Sequence, residues 1–206
     1  MDNVIITISR SYGSGGRDIG RRLATELGID YLDSKLLRLA SDESGINEQL
    51  FAEADETLKS TPLFRAARKV YNGEVIRPDS DDFTSNENLF RYQAKVMREL
   101  ASSEACVIIG RCANVVLGGQ PNVLRVYIHA PIETRMQWLA DTHPGDKNAR
   151  MRIIAEKDER RAAYCRYFTG LDWKDADQYD LSLDSAALGA DRCVALIKEY
   201  TDIRFR

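Results

Sequence analysis

The chain has 206 residues, of which 44% are hydrophobic and 30% charged, with a net charge of -3. That length carries one full-sized core and is short for two unrelated ones, so a single domain over 1–206 is expected. The near balance of charge argues against a broad basic nucleic-acid surface or an acidic tail. No apolar run approaches the ~20 residues of a membrane span, and MDNVIITISR has neither a basic n-region nor a cleavage site; a cytoplasmic protein with no nucleic-acid or membrane partner is expected.

Val4 to Ile8 is an apolar, β-branched run that reads as a strand buried on both faces, ending at Ser9 and Arg10. A glycine-rich turn, Gly13-Ser14-Gly15-Gly16, follows at once. From Asp18 the spacing of Ile19, Leu23 and Leu27 predicts a helix that Gly28 stops. Ile29 to Leu32 is a second strand, and Ser34 is placed to cap a helix through Ala40. Residues 41–85, interrupted by Pro62, Gly73 and Pro78, read as an inserted helical region with mobile connections. Ser85 or Asn86 caps a helix to about Ala101. Cys106 to Gly110 and Leu124 to Ile128 are further strands, and Pro131 opens the helix ETRMQWLADT. An arginine-rich helix spans about Lys147 to Phe168, Tyr179 to Leu183 is the last strand, and a helix runs from Asp191 to about Tyr200. Strands alternating with helices predict an α/β protein of three layers, a parallel sheet with helices on both faces.

A phosphate-binding loop needs glycines, because its backbone takes positive φ and approaches the oxygens closely, and it needs a following helix whose free N–H groups favour an anion. Gly13, Ser14, Gly15 and Gly16 meet both needs. They do not complete the pattern G-x-x-x-x-G-K-[ST]: Arg10 stands at the first glycine and Gly16 at the lysine. Arg17, one place beyond, or Arg10, at the strand end, could bring the positive charge instead. Asp18 either meets magnesium through water or complements the helix N-terminus. The scattered cysteines 106, 112, 165 and 193 give no zinc spacing and read as reduced thiols, with Cys112 packed; His129 reads as structural.

The segments ISRSYGSGGRDIG, VIIGRCANVVL and KDERRAAYCRYFTGLDW, with Tyr31-Leu32-Asp33-Ser34 and YDLSLDS, resemble the cytidylate kinase-like branch of the nucleoside monophosphate kinases across almost the whole chain. The resemblance implies a phosphate-loop kinase fold with a helical insertion on the acceptor side (about 41–85) and a lid (about 145–172). It implies transfer of phosphate from ATP, with Mg2+, to a nucleoside monophosphate, CMP or dCMP foremost. Arg10, Gly13, Ser14, Gly15, Gly16, Arg17 and Asp18 would then hold the donor, and Asp33, Ser34 and Arg111 the acceptor. Asp158, Arg161 and Arg166 match the lid, where Asp158 would orient one of its cations. Arg17, Arg161, Arg160 and Lys157 would act on the transferring group. Cys112 stands where the family's better-known enzymes carry an aspartate that helps define the pyrimidine. Two rivals remain: a kinase for another small acceptor, and a nucleotide-binding regulatory module without efficient transfer. The sequence sets no oligomeric state.

Overall fold

The computed structural model describes residues 3–57 and 73–205. Five strands, β1 (Ile5–Arg10), β2 (Asp30–Leu32), β3 (Cys106–Ile109), β4 (Val123–His129) and β5 (Leu181–Asp184), form one sheet in the order β2-β3-β1-β4-β5. Every pairing is parallel, with Ile8 opposite Ile109 on one side and Val126 on the other. The described residues also form eight α-helices: α1 (Gly16–Leu27), α2 (Ser34–Ser44), α3 (Glu48–Thr57), α4 (Asn86–Ser103), α5 (Ala113–Val116), α6 (Ile132–Trp138), α7 (Lys147–Thr169) and α8 (Ser185–Phe205).

The side-chain alternation of a strand sends neighbouring residues to opposite faces, and two separate cores result. Ile6, Ile8, Val107, Ile109, Leu124, Val126 and Ile128 pack under α1 and α8, against Ile19, Leu23, Val194 and Ile197. Ile5, Cys106, Ile108, Val123 and Tyr127 face the other way, toward α2, α4 and the end of α7, where Phe90 stacks on Phe168 at 4.3 Å. The three-layer α/β expectation holds. Trp173, Tyr164 and Phe168 are buried in this second core, while Tyr167 is turned outward.

Several boundaries differ from expectation. Helix α1 begins two residues before Asp18, because Gly15 at φ 75° makes the reversal and Gly16 is already helical. Ser34 does not cap α2: Asp33 occupies the capping position, and its carboxylate is engaged by arginines instead of the helix N–H groups. The helix after Pro131 stops at Trp138, short of Thr142, and the last helix begins at Ser185 with a break at Gly189, whose φ of 75° and ψ of 164° no other residue tolerates well. Within 41–85, α2 ends at Ser44, α3 follows, and 73–85 contains no helix; the part of the expected helical region at 58–72 lies outside the described residues. No described helix is long and apolar enough to cross a membrane.

Candidate active site

In an open parallel sheet, groups gather at the carboxyl ends of the strands. Here the turn after β1, the Gly110-Arg111 turn after β3 and Ser185 after β5 share that edge. The sequence Arg10 to Gly15 is a rigid turn with its own scaffold. Ser14, fully buried, donates to the carbonyls of Ser11 and Ile128 at 2.9 and 3.1 Å. Ser185 reaches back to the Ser14 and His129 carbonyls at 2.7 and 2.9 Å, and Ser11 bonds the Tyr127 hydroxyl at 2.9 Å. Gly13 and Gly15 both have φ near 75°, the left-handed region that an anion-wrapping turn requires.

Two cavities flank this loop. The first, about 380 Å³, lies toward β3 and α7 and has six cationic side chains in its wall: Arg10, Arg17, Arg111, Lys157, Arg160 and Arg161. These residues come from four separate stretches of sequence, and the fold brings them together. Asp33 is the carboxylate that organises part of the set: Arg17 Nε lies 2.9 Å from its Oδ2, and Arg111 donates to its backbone carbonyl at 2.9 Å and its Oδ1 at 3.3 Å. Arg161 donates to the Arg10 carbonyl at 2.9 Å. Arg160 is ion-paired to Glu156 one turn back. Burial, and then the neighbouring Arg161, push the Arg10 guanidinium down to about 9, and burial likewise lowers Arg161. A cluster of cations held out of water in this way favours an anion. Cys112 and Cys165 line the same wall, and hydrogen bonding from Cys112 lowers the Cys165 thiol despite its burial.

The second cavity, about 370 Å³, lies on the other side of the loop and is lined by Gly13, Ser14, Gly15, Asp18, Ile19, Trp138, Leu139 and Gly189 among others. Trp138 is 45% exposed, unusual for so large an apolar ring.

Not every expected residue joins the site. Arg166 is exposed and lines neither cavity, because it points away from the face of α7 that carries Lys157, Arg160 and Arg161. Ser34 also lines neither cavity. Asp158 does not chiefly orient a lid cation: it accepts from the Tyr12 backbone N–H at 2.7 Å and from Arg135 at 2.6 Å, with Arg161 at 3.8 Å. Arg135 in turn donates to the Tyr12 carbonyl at 3.2 Å. Asp158 and Arg135 therefore clamp the loop backbone at Tyr12, a role invisible in sequence because one residue is in α6, one in α7 and the third in the loop. Asp18 is 68% exposed beside the loop, with Arg21 at 3.5 Å. Among the described residues no group of three His, Cys, Asp or Glu side chains is placed to hold a metal ion. A magnesium ion arriving with a nucleotide would draw most ligands from phosphate and water, as that ion commonly does, and Asp18 is an exposed carboxylate in the wall of the second cavity.

A parallel five-stranded sheet with a glycine loop between its first strand and first helix, and cations gathered around that loop, is the architecture of the phosphate-loop kinases. Residues 5–187 match the model of the cytidylate kinase-like family, and the chain belongs to that family. It is 25% identical to a cytidylate kinase of Methanopyrus kandleri, covering 97% of this chain and 94% of that one. It is 24% identical to a cytidylate kinase of Methanococcoides burtonii, covering 89% and 88%. An uncharacterized protein from Eubacterium ventriosum has the same fold, with a TM-score of 0.73, 24% identity and coverage of 98% and 99%. A shikimate kinase from Bacteroides thetaiotaomicron shares the fold at a TM-score of 0.53 with 13% identity, covering 97% of this chain and 98% of that one.

Proposed function

We propose that this protein transfers the terminal phosphoryl group of ATP to a nucleoside monophosphate, with CMP or dCMP the first candidates. The observation that carries this reading is the six-cation cavity beside the loop, with Asp33 holding Arg17 and Arg111 in place. Phosphoryl transfer asks for little covalent work from a protein; alignment and neutralisation of phosphate oxygens dominate. Two phosphate groups brought end to end carry charge that matches such a cluster, whereas a neutral acceptor would leave much of it unopposed.

In this reading the loop from Gly13 to Gly16 and the first turn of α1 hold the β- and γ-phosphates of the donor. The donor's nucleoside extends into the second cavity, where Trp138 offers a face for its base. The acceptor's phosphate lies against Arg111 and Arg17, and an acceptor phosphate oxygen attacks the γ-phosphorus as the bond to the β,γ-bridging oxygen breaks, releasing ADP. Arg161, Arg160 and Lys157 on α7 bear on the transferring group, and the segment around 145–172 acts as the lid. Asp18, exposed beside the loop, would help hold magnesium arriving with ATP, and that ion would add to the neutralisation of phosphate charge.

ATP consumption measured against a panel of nucleoside monophosphates and hydroxyl-bearing acceptors tests this. Turnover with CMP or dCMP well above the rest supports the full reading. Turnover only with a non-nucleotide acceptor replaces the acceptor, and tight ATP binding without turnover on any acceptor refutes transfer. Arg161→Ala is expected to lower kcat at least tenfold, about 1.4 kcal/mol of transition-state stabilisation; an unchanged rate would remove Arg161 from the mechanism.

A further inference from the structure

A phosphate loop of the ordinary pattern carries its lysine directly after the last glycine, on the first turn of the helix. Here that place is Gly16, and the place of the pattern's first glycine is Arg10. The two substitutions fit each other in space. A Cβ on Gly16 would fall 2.6 Å from the Cβ of Arg10, 3.1 Å from its Cγ and 3.3 Å from the Cβ of Ile128. A lysine stem at 16 and an arginine stem at 10 therefore exclude one another.

Farther along, the Arg10 guanidinium lies against the Cα of Gly110: a Cβ there would collide with Nη1 and stand 3.3 Å from Cζ. The side chain runs from the end of the central strand, past the start of α1, to the turn after β3, through a path that exists because positions 16 and 110 are both glycine. It ends in the wall of the cationic cavity. Its Nε is sealed from solvent with no hydrogen-bond partner, and among the described residues the guanidinium makes no ion pair. Arg161, Arg17 and Arg111 act electrostatically against its charge, and Asp33, which favours it, is already bonded to Arg17 and Arg111. A cation in that setting costs stability unless an anion arrives.

Arg17 is the rival for the lysine's task, and its geometry is poorer. Its side chain is 60% exposed and its guanidinium is committed to Asp33 at 2.9 Å.

We infer that Arg10 and Gly16 have exchanged the parts of the ordinary loop's first glycine and lysine, so that Arg10, reaching along the groove left by Gly16 and Gly110, is the catalytic cation on the donor's terminal phosphates. This rests on the phosphoryl-transfer reading for its catalytic sense, but not for its anion-binding sense.

Four variants test it: Arg10→Met, Arg17→Ala, Gly16→Lys, and the double variant Arg10→Gly with Gly16→Lys, which restores the ordinary pattern. Arg10→Met is expected to lower kcat/KM at least a hundredfold while leaving the melting temperature equal or higher, since an unopposed cation has been removed. A structural arginine would instead give a lower melting temperature. Gly16→Lys alone is expected to be inactive, and the double variant to recover at least tenfold over it. Turnover of Arg10→Met within threefold of the parent, a greater loss in Arg17→Ala, or a double variant no better than Gly16→Lys would overturn the exchange. If the parent phosphorylates no acceptor, the proposed function fails by itself, and titration with inorganic tripolyphosphate decides about Arg10. At least tenfold weaker binding in Arg10→Met then supports the inference, and unchanged binding overturns it.

Discussion

Asp158→Asn removes the charge that holds the phosphate loop at Tyr12. The carboxylate accepts from two donors, the Tyr12 N–H at 2.7 Å and Arg135 at 2.6 Å, and has the Arg161 guanidinium as a more distant ion-pair neighbour at 3.8 Å. Both members of the close pair are largely out of water. Taking one partner from a buried ion pair costs about 3–5 kcal/mol, because the other is left charged and unopposed. The residual solvent contact places this site toward the lower end, about 3 kcal/mol. For a chain of this size that lowers Tm by about 6–12 °C. The partner change, Arg135→Met, is expected to cost less, about 1–2 kcal/mol, since Asp158 keeps the Tyr12 N–H and Arg161 is close enough to move in. The asymmetry is the point of the test. Urea denaturation of the two single variants and the double variant, compared by midpoint at constant slope, gives both costs and their coupling. An Arg135→Met cost equal to or above that of Asp158→Asn, or an Asp158→Asn cost below about 1 kcal/mol, would refute the clamp.

Asp180 should confer acid sensitivity: burial alone would raise its carboxyl, but hydrogen bonds from the side chain and backbone of Arg125 and from Arg204 outweigh this and bring it down to about 2. A folded value below the unfolded one stabilises at neutral pH and is lost as pH falls from near 4 toward 2, about 2 kcal/mol in all; Asp180→Asn should flatten that part of the stability-pH curve, and a curve unchanged from the parent's would refute the assignment. Phe90→Ala, which empties the ring stacked on Phe168 at 4.3 Å, should cost about 3–5 kcal/mol by chemical denaturation, and Phe90→Leu distinctly less. Trp138→Ala should raise the KM for ATP about fivefold or more if the exposed ring stacks on the donor's base, with the KM for the acceptor little changed; equal effects on both would place the base elsewhere.

What the sequence by itself determined is what local chemistry decides. The apolar, β-branched runs at 4–8, 106–110 and 124–128 read as strands, the first as one buried on both faces, and their alternation with helices made a parallel sheet the economical arrangement. Gly28 ends α1 in the left-handed conformation and Ser85 caps α4 by accepting from the Asn88 N–H, both as their residue types predict. The glycine loop was legible for the same reason: only glycine takes its backbone conformation without strain. Asp33 takes the capping position expected of Ser34, and Arg166 faces away from Lys157, Arg160 and Arg161; capping and charge are visible in sequence, whereas the pull of Arg17 and Arg111 on Asp33 and the facing of α7 are not.

Only the tertiary structure decided the strand order, with β3 inserted between β2 and β1, and through it which cations meet. Asp33 finds Arg111 across 78 residues because β2 and β3 end side by side, and Asp158 finds Arg135 and Tyr12 because α6 and α7 close over the loop. The relation between Arg10 and Gly16 is of this kind too. Both residues were plain in the sequence as departures from a pattern; that they are one compensated change follows from the distance between them, since excluded volume acts between side chains in space and has no signature along the chain.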